Sequence, residues 1–304
     1  MLYKLIYFFR GVPIFFVISG YLIWFSVGRC PTPGAFMKKR FWRIYPELWA
    51  GVLIEALCIA VLYHKYKLSE LIAFVFAQST VLQFWTPDSL RGYGCGTPNG
   101  ALWTICILVQ FYILAWLMYK LLRDKSVRVW SVTAVLLIAL SALSEILLPK
   151  AAPTVIVKLF SQTVIPYLWL YVLGMSIARF KETLLPFIKR YWWAFLIISA
   201  AAHFSGIDVS AGYSVFANGL MAAGLIGFAY SFPRLELKHD LSYGMFIYHM
   251  TVINVLIIFG LTKKVWLIPI VIAISCALAF ISANVIGKWS NKMKQRSISN
   301  ERLV

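Results

Sequence analysis

The chain has 304 residues, of which 61% are hydrophobic and only 13% are charged. Its mean hydropathy is +0.79, whereas a soluble domain is about 45–50% apolar and about 25% charged, so a water-soluble fold is excluded. The formal net charge is +18, but the basic residues lie in short stretches between apolar runs. That distribution is typical of membrane topology rather than of nucleic-acid binding.

The apolar runs predict an all-α, polytopic integral membrane helix bundle with about nine to ten membrane segments, in a single domain over 1–304. The candidate segments in chain order are 11–28, 47–63, 68–86, 101–122, 127–148, 154–177, 190–205, 213–232, 241–261 and 265–287. Segment 68–86 contains three polar residues and is predicted to be re-entrant, since about nine crossings then leave most lysines and arginines inside. The amino terminus is then outside and the basic tail 288–304 is cytoplasmic.

A cluster of basic residues follows the first apolar run and consists of Arg29, Lys38, Lys39, Arg40 and Arg43. Guanidinium groups present a planar fork of donors that suits phosphate, so Arg40 and Arg43 are candidates for binding an anionic substrate. The same cluster also fits a purely topological role, in which it keeps positive charge on the cytoplasmic side.

His249 is the candidate for acid–base chemistry. It lies about eight residues from the predicted cytoplasmic end of its segment, roughly 12 Å deep at 1.5 Å per residue, and imidazole titrates near neutrality. Ser242 lies seven positions earlier, on almost the same helical face. Glu55 stands in the middle of an apolar segment, where it is either a buried catalytic base or the partner of an arginine from another helix. A structural hydrogen-bonding role is equally open for His249.

Trp103, Cys106 and Gln110 form a stripe at helical spacing. This stripe either lines a path for the acyl group or sugar, together with Ser242, or packs against neighbouring helices. The Gly- and Pro-rich loop 86–100 could meet a carbohydrate or be an ordinary solvated connection. The cysteines are scattered without a Cys-x-x-Cys pair, so neither a disulfide framework nor a metal site is indicated.

Four motifs occur in the order known from the acyltransferase-3 family, the bacterial membrane enzymes that acylate O-antigen, exopolysaccharide and peptidoglycan sugars. The first is GVPIFFVISGYLI at 11–23, which resembles the family's second helix. The second is FMKKRFWRIYP at 36–46, which is similar to its R-x-x-R-I-Y-P segment. The third and fourth are NGALWTICILVQFY at 99–112 and LSYGMFIYH at 241–249. The chain is therefore identified as a member of this family.

The resemblance implies that Arg40 and Arg43 engage an acyl-CoA donor. It also shows two departures from the family pattern. The family opens with a helix that contains an arginine and, eleven positions later, a histidine proposed to act in acyl transfer, and this pair has no counterpart here. Leu108 stands where the third motif usually has glutamate. We therefore expect a chain that begins at the family's second helix.

The resulting prediction is a multi-pass O-acyltransferase of the bacterial cytoplasmic membrane. It would transfer acetyl from acetyl-CoA, a co-substrate rather than a permanently bound cofactor, to a hydroxyl of a cell-envelope polysaccharide or lipid-linked sugar. The expected partners are the lipid bilayer, acyl-CoA and the glycan acceptor, with no nucleic acid and no metal. A transporter or flippase for a glycan or small anion, or a non-catalytic family member, are the alternatives.

Overall fold

The computed structural model describes residues 8–205, 215–232, 240–261 and 264–301. Regular structure in these ranges consists of α-helices, short 3₁₀ turns and a π-helical turn, which confirms the all-α prediction. Residues 213 and 214 of the predicted segment 213–232 and residues 302–304 of the tail lie outside the described ranges. The prediction of a single domain stays a prediction, because the helices group into two compact units.

Twelve α-helices are described, and we number them along the chain. They are α1 (Gly11–Gly28), α2 (Pro33–Leu62), α3 (Leu68–Gln78), α4 (Trp103–Leu122), α5 (Val127–Ala151), α6 (Thr154–Phe160), α7 (Leu168–Arg179), α8 (Lys181–Phe204), α9 (Val215–Ser231), α10 (Ser242–Ile258), α11 (Leu267–Ser282) and α12 (Lys288–Glu301). The π-helical turn Ala283–Gly287 joins α11 to α12, and the 3₁₀ turns are Asp88–Leu90 and Ile165–Tyr167.

Each compact unit is made of two separate stretches of the chain. The first unit comprises Met1–Pro31 and Gln110–Leu235, and so contains α1, most of α4 and α5 to α9. The second comprises Thr32–Val109 and Glu236–Val304, and contains α2, α3, the start of α4 and α10 to α12. Both predicted arginines and the candidate histidine therefore belong to the second unit.

Six helical stretches among the described residues are long and apolar enough to cross a bilayer. They are α1, α2, α4, α5, α8 and the run Leu267–Gln295. The helices α6 and α7 form a pair bent by 57°, which would be a seventh span if it crosses as one unit. The chain is thus an all-helical membrane protein, but the predicted count of nine to ten segments is not confirmed.

The short helix α3 has 11 residues. At 1.5 Å per residue it is about 16 Å long, which is well short of a hydrocarbon core of about 30 Å. The backbone N–H of Lys67, before α3, donates to Ser89 Oγ at 3.3 Å, and the Ser89 N–H donates to Glu70 Oε2 at 2.8 Å. Because the two ends of segment 68–86 lie side by side, the chain turns back here, which supports the predicted re-entrant path.

Three predicted boundaries are wrong where a helix continues through polar sequence. The predicted segment 47–63 is the second half of α2, which begins at Pro33 after Thr32 caps it by accepting a hydrogen bond from the Ala35 N–H at 3.1 Å. A helix starting at this cap, with proline in its first turn, contains Lys38, Lys39, Arg40 and Arg43 of the basic cluster, whereas Arg29 precedes it. Likewise α8 begins at Lys181 rather than at 190, and the helix expected to end at 287 continues to Glu301.

In the first unit, α1 and α7 pack with their backbones in close contact. A Cβ placed on Gly20 would collide with the Tyr171 carbonyl, and one on Gly174 would collide with the Val17 carbonyl. Small residues permit this approach, which is a common way for membrane helices to associate. The first family-like motif at 11–23 therefore contributes a packing surface through Gly20.

Candidate functional site

Arg40 and Arg43 lie one turn apart inside α2. The guanidinium carbon of Arg40 is 5.6 Å from the centroid of the Phe36 ring, a cation–π geometry. The side chain of Arg43 is 45% exposed and forms an ion pair with Asp240. Arg43 is therefore held in position by Asp240 while its side chain stays partly exposed.

Pro46 interrupts the backbone hydrogen bonding of α2. Proline has no N–H, so the carbonyl of Trp42, four residues earlier, loses its normal helical partner. The Ser290 hydroxyl of α12 donates to this carbonyl instead. The indole rings of Trp42 and Trp289 also meet edge to face, with centroids 5.6 Å apart. The I-Y-P element of the second motif thus provides the attachment point for the basic carboxyl-terminal helix.

A small cleft of about 50 Å³ lies where α2 meets the start of α12. Its polar lining combines basic, acidic and neutral side chains, which are Arg43, Glu47, Ser290, Asn291 and Lys294. The lining thus contains two cations, one carboxyl and two neutral polar groups, and Arg43 is also paired with Asp240. This composition suits an anionic group that also accepts hydrogen bonds.

Asp240 connects the start of α10 to Arg43. Its Oδ1 accepts hydrogen bonds from the Ser242 N–H at 3.1 Å and from the Ser242 hydroxyl at 2.6 Å, while Oδ2 accepts from Arg43. Burial acts to raise the pKa of Asp240, but the bonds from Ser242 and the charge of Arg43 outweigh it and hold this pKa below the usual aspartate value. Ser242, predicted on the substrate path, is thus engaged in holding the end of its helix.

Glu47 is a candidate that the sequence did not single out. It follows Arg43 by four residues, and its Oε1 accepts a hydrogen bond from the Ser282 hydroxyl at 2.8 Å. Ser282 in turn accepts from the buried Tyr248 hydroxyl at 3.1 Å. This chain of hydroxyls orients a carboxyl at the cleft. An available signal was the i, i+4 spacing of an arginine and a glutamate immediately after the motif.

His249 is half-buried on α10, about 10 Å along the helix from its first residue. Its Nδ1 lies 2.8 Å from the Phe246 carbonyl and 3.1 Å from the Met245 carbonyl. Carbonyl oxygens accept only, so these contacts place an N–H on Nδ1, and a neutral ring then has its lone pair on Nε2. This is the tautomer that a base acting through Nε2 requires.

Glu55 is deeply buried in α2, with 1% of its surface exposed. It accepts a hydrogen bond from the Thr251 hydroxyl, so its observed partner is a threonine rather than the arginine considered from the sequence. Glu55 Oε1 and the hydroxyl of buried Tyr93 have no hydrogen-bond partner within the described part of the chain. A buried carboxyl with one free oxygen retains the capacity to accept a proton.

The loop 86–100 is packed rather than loosely solvated. Asn254 of α10 is fully buried and accepts from the Cys95 N–H at 3.0 Å, while its amide donates to the carbonyls of Thr97 at 3.0 Å and Pro98 at 2.5 Å. Gly94 has a φ of +55°, which favours glycine, and a Cβ there would collide with Asn254. The loop is therefore fixed to the same helix that positions His249.

Trp103 and Gln110 have different surroundings. Trp103 is half-buried at the first residue of α4. Gln110 belongs to the first unit, where its amide donates to the Gln162 carbonyl at 2.8 Å and its Oε1 accepts from the Val164 N–H at 3.0 Å. These bonds satisfy backbone groups at the break between α6 and α7. The role of both residues on a substrate path stays a prediction.

The comparisons with known proteins agree with the motifs. The family described as an acyltransferase domain, acyltransferase-3, matches residues 3–285. The chain is also similar to Nodulation protein 10 of Rhizobium leguminosarum bv. viciae, with 28% identity over 316 residues that cover 93% of this chain and 82% of that protein. No solved structure matches. Because the family match extends over most of the chain, the protein belongs to the acyltransferase-3 family and is a membrane acyltransferase.

Proposed function

We propose that the protein transfers an acetyl group from acetyl-CoA to a hydroxyl of a cell-envelope polysaccharide or lipid-linked sugar. The observation that supports this most is the partly exposed side chain of Arg43 at a polar cleft, one turn from Arg40. Coenzyme A contains several phosphoryl groups, and arginine is the side chain best suited to bind them. The membrane acyltransferase family supplies the reaction class.

His249 is proposed as the base. Nε2 takes the proton of the acceptor hydroxyl as its oxygen attacks the thioester carbonyl carbon. The carbon–sulfur bond then breaks, the acetyl group stays on the sugar oxygen, and the coenzyme A thiolate recovers a proton from the imidazolium. The Nδ1 contacts with Phe246 and Met245 support this role by fixing the tautomer. Glu55 is the second proposed proton acceptor, supported by its burial and its free oxygen.

The proposed orientation follows from the charges and the re-entrant segment. About nine crossings put the amino terminus outside and α12 in the cytoplasm, where acetyl-CoA is present. We place the protein in the bacterial cytoplasmic membrane on this basis. Trp103, Gln110 and Ser242 remain the proposed lining of the path to the acceptor. Support for the re-entrant segment comes from Ser89, which follows 68–86 and is hydrogen-bonded to Lys67 and Glu70 at the start of α3.

The test of the donor site is the double substitution Arg40→Ala with Arg43→Ala. We expect the affinity for acetyl-CoA to fall at least about 100-fold, since two charge-assisted contacts are lost at about 1.5–3 kcal/mol each. Binding of labelled acetyl-CoA to membranes containing the protein measures this effect.

The matched control replaces Arg91 and Arg123 by alanine. Both are exposed arginines in local ion pairs, with Asp88 and Asp124, so the control removes the same charge from residues that do not line the cleft. Control membranes should bind acetyl-CoA normally. Undiminished binding by the Arg40, Arg43 variant would refute the donor site.

A further inference from the structure

The cleft beside Arg43 has a second wall, formed by α12. This helix is fixed against α2 by the Ser290 hydroxyl on the Trp42 carbonyl and by the contact of Trp289 with Trp42. Asn291 and Lys294 follow Ser290 on this helix and line the cleft opposite the α2 residues. The attachment at Pro46 therefore sets the distance between Arg43 and the basic end of the chain.

A cation lines each wall of this cleft, Arg43 on α2 and Lys294 on α12. Glu47 adds one carboxyl, whose Oε1 accepts from Ser282, and Asp240, which is not part of the lining, forms an ion pair with Arg43. The space is about 50 Å³. A water molecule needs roughly 10–15 Å³ on this scale, so the cleft holds a few water-sized groups and not a whole nucleotide. One phosphoryl group, with its cluster of small acceptor oxygens, fits this size and charge.

We infer that α12 is part of the donor site, with Lys294 and Asn291 binding a phosphoryl group of the acyl-CoA donor together with Arg43. The inference rests on the proposed function, because it takes acetyl-CoA to be the donor. Lys294 supplies a point charge on a flexible stem, and Arg43 supplies the directional fork. The Asn291 amide adds a neutral donor.

Lys294→Gln tests this inference, and Lys292→Gln is its matched control. Both lysines lie on α12, two positions apart, but only Lys294 of the two lines the cleft. We expect the Kd for acetyl-CoA to rise about tenfold in the Lys294 variant, since one charge-assisted contact is lost. The Lys292 variant should bind as the unaltered protein does. Equilibrium binding of labelled acetyl-CoA to the full chain in membranes gives both values.

The Arg43→Gln variant separates failure of this inference from failure of the proposed function. Weakened binding in both Arg43→Gln and Lys294→Gln, with a normal Lys292 variant, supports the inference. Weakened binding in Arg43→Gln alone overturns the inference and leaves the proposed donor site intact. Equal losses of affinity in the two lysine variants also overturn the inference, because the loss would then reflect the total positive charge of α12 rather than a contact in the cleft. Unchanged binding in every variant overturns the donor site itself.

Discussion

The availability of the Arg43 guanidinium depends on a single acidic residue. Asp240 is 53% exposed and accepts a hydrogen bond from Arg43, while its other oxygen is bound by Ser242. The lowered pKa of Asp240 keeps it ionised at neutral pH. A phosphoryl group that approaches Arg43 must therefore share the guanidinium with this carboxylate or displace it.

We predict that Asp240→Asn strengthens binding of acetyl-CoA, with a Kd about threefold lower. The substitution removes a competing negative charge, and asparagine can still accept the hydrogen bonds from Ser242 through its carbonyl oxygen. The pair is exposed, so the loss of folding free energy should be at most about 1 kcal/mol. Equilibrium binding measures the gain. Asp88→Asn, which breaks the exposed pair with Arg91, is the control, and a Kd that does not fall would contradict the prediction.

The sequence was sufficient to identify residues whose own functional group indicates a chemical role, without knowledge of the residues that contact them. Arg43 and His249 stood out because guanidinium and imidazole groups in an apolar chain are unusual, and because they fall in motifs. Glu47 and Asp240 did not, since their importance comes from partners about 200 residues away in the chain. A single sequence contains no information on which distant hydroxyl or guanidinium faces a given carboxyl.

The elements around the cleft depend on one proline. In α2 the missing N–H of Pro46 leaves the Trp42 carbonyl available, and Ser290 of α12 donates to it. A carbonyl without a partner is costly in an apolar environment. The hydrogen bond from Ser290 thus holds α12 against α2 because Pro46 leaves a carbonyl of α2 without its helical donor.

A double-mutant cycle between Pro46 and Ser290 tests this dependence. Ser290→Ala should lower the free energy of unfolding by about 1–2 kcal/mol, because the Trp42 carbonyl loses its partner. In the Pro46→Ala background the same change should cost much less, since the restored N–H now donates to that carbonyl. Thermal unfolding in detergent measures both differences.

Ser275→Ala is the control for the loss of a buried hydroxyl. Ser275 is 1% exposed and its hydroxyl has no hydrogen-bond partner in the described residues. This variant should change the unfolding temperature little. Equal effects of Ser290→Ala in the two backgrounds would show that the hydroxyl does not compensate for the proline.

Helices were predictable from apolar runs, but their ends were not. A run of about 20 apolar residues forms a helix in a bilayer, because the backbone polar groups must then be hydrogen-bonded within the segment. Hydropathy does not detect helical turns made of polar residues. It therefore missed the first half of α2, where Thr32 and Pro33 start the helix. It also merged α6 and α7, which bend by 57° where the Gln110 side chain replaces backbone partners.

At the scale of the whole molecule, the sidedness of the protein depends on whether 68–86 crosses the membrane. Its helical part is only 11 residues long, and hydrogen bonds join Ser89 to the backbone of Lys67 and to the Glu70 side chain. A segment that enters and leaves the membrane at neighbouring positions does not take the chain across the bilayer. This geometry is the physical basis for the proposal of an odd number of crossings with α12 in the cytoplasm.

Labelling of single cysteines tests this arrangement. In a background with the five native cysteines replaced by alanine, we expect Lys65→Cys and Arg91→Cys to react with a membrane-impermeant maleimide added to intact cells. Lys292→Cys, on α12, should react only after the membrane is opened. Lys65 and Arg91 flank 68–86 and are exposed, so a full crossing between them would place them on opposite sides. Labelling of only one of these two cysteines in intact cells would therefore disprove the re-entrant path. Labelling of Lys292→Cys in intact cells would place the cleft and its basic helix away from the cytoplasmic donor.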